Sequence, residues 1–72
     1  MRLALEITNS LGTWRQDFKE VKTQEEIDEL KDYINSGVEH GFTHLGFEIR
    51  GTYHVFPKEV LKNSVIAVLL KD

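Results

Sequence analysis

The chain contains no cysteine, which excludes a disulfide framework and a thiolate metal site. Long apolar stretches are missing as well. The run from Val65 to Leu70 is six residues, far short of the roughly 18 that a membrane-spanning helix needs. Met1-Arg2 leads directly into alternating residues, without the apolar core of a signal peptide. The expected compartment is therefore the cytoplasm, with no membrane partner. Positive charge is in deficit, with 9 Lys and Arg against 12 Asp and Glu for a net −3. The averaged field repels phosphate, so nucleic acid is a disfavoured partner unless a local basic face exists.

What the chain does have is enough apolar material for one core. Forty per cent of its 72 residues are hydrophobic, including Trp14, Phe18, Phe42, Phe47, Phe56 and two tyrosines, too apolar a composition for a disordered segment. A chain of this size removes only about 60–65% of its unfolded surface from water, so its net stability is expected to be small. No repeat, low-complexity tract or linker divides it, and residues 1–72 are expected to form a single domain.

Apolar residues alternate from Leu3 to Thr8, with Leu3, Leu5 and Ile7 on one side, as in a half-buried strand. Turn formers from Asn9 to Thr13 lead to a second alternating stretch, Trp14 to Val21, in which Trp14 and Phe18 point to the core. Thr23 stands three residues before Glu26, a capping-box pair at a helix start. Ile27, Leu30, Tyr33 and Ile34 then form one helical stripe, and Gly37 is expected to close the helix in a left-handed conformation. Leu45, Phe47 and Ile49 alternate in a third strand, Gly51-Thr52 turns the chain, and Tyr53–Phe56 form a short fourth. Pro57 ends that strand and starts a helical turn, Lys58 to Lys62. Val65–Leu70 reads as a strand covered on both faces, central in its sheet.

This order implies an α+β fold: a small mixed sheet of four to five strands with one long helix packed on one face. The expected topology is β-grasp-like, ββαββ with a short helical turn before the last strand, which lies parallel to the first. A ferredoxin-like βαββαβ arrangement is the alternative. In length and element order the chain resembles ubiquitin-like domains, a resemblance of architecture over the whole chain that rests on no shared motif. Such domains, when conjugated, need a flexible tail ending in Gly-Gly; this chain closes with Lys71-Asp72, so the resemblance implies no conjugation role.

Site chemistry is sparse. His40 and His44 have the spacing of two ligands on a helix, but Gly41 and the strand-like run after Thr43 place them in a loop, and His54 joins them only by crossing a hairpin. No metal or other cofactor is expected. Ser10, Ser36 and Ser64 sit where turns and caps use serine, and Glu48 with His54 reads as an ordinary cross-strand polar pair before it reads as an acid and base. Gly37, Gly41, Gly46 and Gly51 fit no phosphate-cradling pattern. An enzyme is thus not expected.

The expected function is a small protein-interaction domain, binding a protein partner or a second copy of itself. Its candidate surface is Arg15, Lys19, Arg50, Tyr53, His54 and Phe56, on the edge formed by the second strand and on the open sheet face. The alternative is a nucleic-acid-binding regulator using Arg15, Lys19, Lys22 and Arg50.

Overall fold

Alternation in the first segment becomes the central strand of the molecule. The computed structural model describes residues 1–72 and holds six strands and two helices: β1 (Arg2–Asn9), β2 (Gly12–Arg15), β3 (Lys19–Glu20), α1 (Gln24–His40), β4 (His44–Ile49), β5 (Thr52–Pro57), α2 (Lys58–Leu61) and β6 (Val65–Lys71). One sheet contains β1, β2, β3 and β6, and β4 and β5 form a second. The α+β class is as expected, with one long helix.

The sheet is not mixed. Every ladder is antiparallel, including β1 with β6, which pairs Leu3 with Leu70 through to Thr8 with Val65. The β-grasp pairing is absent, because it requires the last strand to run parallel to the first; the ferredoxin-like alternative shares the antiparallel β1–β6 pair, but it also needs β5 beside β1, and β5 pairs only with β4 in a sheet of its own. The cause lies in the connection. The α2 turn delivers the chain to the far end of β1, where Asn9 Nδ2 donates to Ser64 Oγ at 3.1 Å and Ser64 Oγ donates to the Val60 carbonyl at 2.8 Å. A strand that starts beside the end of β1 must run back along it.

A second correction concerns the terminal strand. β6 pairs with β1 alone, so it lies at a margin and β1 holds the centre. Ala4 marks that centre with 0% exposure although it faces away from the core.

The second predicted strand is broken by a bulge. β2 pairs Glu6 with Arg15, and β3 pairs Leu3 with Lys19, so Gln16, Asp17 and Phe18 stand opposite only Leu5 and Ala4. One extra residue reverses the facing of everything after it. Trp14 keeps its expected place against the core, but Phe18 is turned to the outer face, where the Lys71 ammonium lies 5.3 Å from its ring centroid. Gln16 holds the bulge to β1: its N–H donates to the Leu5 carbonyl at 2.8 Å, and its Oε1 accepts the Leu5 N–H at 3.0 Å. Asp17 reaches the other way. Its N–H donates to the Glu48 carbonyl at 3.1 Å, and its carboxylate accepts the Arg50 N–H at 3.1 and 3.0 Å. The bulge is therefore the joint between the two sheets, and it caps the β4–β5 turn at Arg50, whose φ is 52°.

The helix starts where the capping pair predicts. Thr23 Oγ1 accepts the Glu26 N–H at 3.3 Å, while the Glu26 carboxylate reaches one residue further back, to the Lys22 N–H at 3.0 Å. It does not end at Gly37. The helix continues to His40 and closes at Gly41, with φ 95° and its N–H donating to the Gly37 carbonyl at 2.8 Å. Gly37 serves a different need, since a Cβ there would fall inside the Phe42 ring, which folds back onto the helix.

The core is thin. All 11 buried residues are apolar, and all but Ala4 divide into a larger group of Leu5, Ile7, Ile34, Leu45, Phe47, Phe56 and Leu61 and a smaller one of Leu3, Val21 and Ile27. Helix α1 and the β4–β5 hairpin share one face of the larger sheet. The other face has no covering element.

Candidate interaction surface

The six residues expected to form an interaction surface do not come together as one. β4 and β5 pair Leu45 with Phe56 and Glu48 with Tyr53, and cross-strand partners share a face. Phe56 therefore points inward with Leu45. It is only 6% exposed and packs against Trp14 and Phe47, with ring centroids 5.8 and 5.1 Å away. It is a core residue and cannot anchor a partner. Tyr53 is on the opposite face, 61% exposed, its ring lying over Gly46, where a Cβ would collide with it.

Arg15, Arg50 and His54 do converge. Together with Trp14, Asp17, Ile49 and others they line an open cleft of about 870 Å³ between the bulge and the β4–β5 turn. Some of their polar groups are engaged, Arg15 Nε with Glu6 Oε2 at 3.2 Å, the Asp17 carboxylate with the Arg50 N–H, and His54 Nδ1 with the Thr52 carbonyl at 3.0 Å, while the Arg50 guanidinium has no partner. Lys19 lies elsewhere, registered with Leu3 at the rim of a groove that includes Val21 and Leu30. Arg15, registered with Glu6, occupies the other face. The basic residues of the nucleic-acid alternative are thus distributed over two faces and a turn, and form no stripe that could track a phosphate backbone.

The histidines are also separate. His40 is the last residue of α1, not a loop residue, and His44 opens β4. No group of three or more His, Asp or Glu side chains is arranged to hold a metal ion. No helix is long and apolar enough to cross a membrane.

One apolar strand that the sequence reading assigned to the interior is only partly buried. β6 presents Val65, Ala67 and Leu69 on the outer face and Ile66, Val68 and Leu70 on the helix side, as its register with β1 dictates. Val65 is 69% exposed and Leu70 46%. Beyond β6, no hydrogen bond from any backbone or side chain outside the β1 ladder reaches the strand. A groove lined by Val38, Phe42, Leu61 and Ile66 opens beside its first residues.

Natural edge strands are usually blunted by charge, proline, a bulge or shortness. The other margins here follow that rule. The β2–β3 side carries the bulge with Arg15, Lys19 and Glu20, β4 carries Glu48 and is met there by the Asp17 N–H, and β5 ends in Pro57. Only β6, seven residues long and uncharged from Val65 to Leu70, carries none of these protections. The signal was present in the sequence as the uninterrupted apolar run. Its meaning depends on whether a second neighbour exists, which a run alone does not reveal.

Comparison of the chain with protein-family models, with curated proteins and with solved structures finds no match.

Proposed function

We propose that this protein is a small protein-binding domain whose binding element is the free margin of β6, and that it carries out no chemical step of its own. The observation that carries this reading is the unguarded apolar edge. Alternate N–H and C=O groups along it project away from β1 without a partner, and an added strand would satisfy them while covering Val65 and Leu70. Thinness of the core points the same way: with 11 buried residues, a domain of this size gains from any further apolar burial.

The test is photo-cross-linking in the cell that makes the protein. A photo-reactive residue in place of Val65 is expected to yield protein adducts, and the same residue in place of Glu39, on the exposed side of α1, to yield few. Equal labelling from both positions, or no adduct of any protein from position 65, would count against a binding role for this edge.

A further inference from the structure

We infer that the partner at this edge is β6 of a second copy of the chain, running antiparallel and centred on Val68, so that two domains share one continuous sheet. This rests on the reading of β6 as a binding edge and specifies its occupant.

Charge selects the direction. Within β6 the only charged side chain is Lys71. Parallel copies would set the two Lys71 ammonium groups side by side, whereas antiparallel copies hold them about 20 Å apart, beyond the roughly 8 Å over which exposed charges interact in physiological salt. Lys71 is also drawn over its own Phe18 ring, which leaves Asp72 as the free charge at that end. In the antiparallel arrangement Asp72 approaches the opposite end of the partner strand, where Lys58 and Lys62 line the groove beside Ile66. Acid thus meets base at both ends of the seam.

Overlap selects the register. Centring on Val68 pairs all seven residues, Val65 with Lys71, Ile66 with Leu70 and Ala67 with Leu69, and keeps the helix-side residues of both copies on one side. A one-residue slip would place apolar and exposed faces in opposition. A two-residue slip would leave the ends unpaired.

Size sets the strength. The molecule is 17 Å across its thinnest direction and β6 is about 23 Å long, so the margin offers about 400 Å² of projected face per copy, about 800 Å² in total, the size of a weak and transient interface. Val38, 68% exposed beside the groove, extends it only slightly. A dimer of this kind dissociates in the micromolar range and is visible as a concentration dependence.

Analytical ultracentrifugation of the purified chain tests this directly. The mass is expected to rise from 8.3 kDa toward twice that value between micromolar and low-millimolar concentration. Ala67→Lys adds a charge opposite Glu6 within its own sheet, a pairing the fold accommodates, but sets two ammonium groups within about 8 Å of each other across the seam. It is expected to weaken association about twofold, and more in low salt than in high, with an unchanged circular dichroism spectrum. Should that variant unfold, cysteine pairing decides, because the chain has no other thiol. Val68→Cys, self-paired at the two-fold axis, is expected to form a disulfide dimer on mild oxidation, and Val65→Cys, about 20 Å from its counterpart, to remain monomeric. A wild-type chain that stays monomeric throughout, a folded Ala67→Lys variant that dimerises as tightly as the wild type in low salt, or equal oxidation of the two cysteine variants would overturn the inference. Cross-linking of position 65 to a different protein, combined with a strict monomer, would overturn the dimer alone and leave the binding edge standing.

Discussion

Replacing Gly37 by alanine separates two physical effects that act in opposite directions at one position. In an exposed helix interior, glycine to alanine is worth about 1 kcal/mol of stabilisation. Here the new methyl would occupy the space of the Phe42 ring. Phe42 is half-buried, touches the larger core group and meets Tyr33 edge-on with centroids 6.1 Å apart. Displacing it forfeits part of an aromatic burial worth about 2 kcal/mol and an aromatic pair worth about 1 kcal/mol. The net expectation is a loss of about 1–2 kcal/mol, or a fall in melting temperature of roughly 4–16 °C for a domain this small. The same substitution made on a Phe42→Ala background meets no ring, and there it should stabilise by about 1 kcal/mol. Thermal and urea unfolding of the four proteins in this cycle give both numbers. If Gly37→Ala raises stability in the wild-type chain, or if its effect is the same on both backgrounds, Phe42 does not pack on Gly37 as described.

Other outcomes follow from the same geometry. Asp17→Ala removes the carboxylate that accepts the Arg50 N–H and is expected to cost about 1.5 kcal/mol, the low end for a charge-assisted bond because the site is exposed; hydrogen exchange at the Arg50 amide should rise before that of the β1 ladder. Thr23→Ala deletes the acceptor for the Glu26 N–H and should cost about 0.5–2 kcal/mol in urea unfolding. Arg15→Ala breaks the exposed pair with Glu6 and is expected to change stability by less than about 0.5 kcal/mol, since such pairs contribute little. A gel-shift titration in low salt is expected to show no retarded nucleic acid, because the basic residues do not share a face.

The elements were more legible than their arrangement. Thr23 and Glu26 announce the helix start through a local hydrogen-bonding pattern that needs no tertiary information, and Leu3, Leu5 and Ile7 announce β1 through a period that survives folding. The helix end was less clear. Gly37 and Gly41 both offer a left-handed cap; the helix takes Gly41, and Gly37 instead makes room for the ring of Phe42, five positions further along the chain. The bulge at Gln16–Phe18 was invisible for a similar reason. Alternation counted along one strand carries Phe18 inward beside Trp14, and only the register against β1 reveals the extra residue that turns it out.

The candidate surface suffered from the same limit. Tyr53 and Phe56 lie on opposite faces of β5 by parity, so one of them had to be interior, and pairing with Leu45 decides that it is Phe56. For β6, an unbroken apolar run is the expected pattern of a strand covered on both faces. Such a run occurs here at a margin. Composition records how much burial a strand calls for, and the fold records how much it receives; the gap between the two is what points to a partner.

Amide hydrogen exchange along β6, measured by NMR at low and at high protein concentration, bears most directly on that gap. In dilute solution every second amide from Val65 to Lys71 should be protected by β1 and its neighbours should exchange freely, and raising the concentration should slow the free set. Uniform protection along the strand in dilute solution would mean that β6 already has a neighbour on each side, contrary to its place at the margin of the sheet.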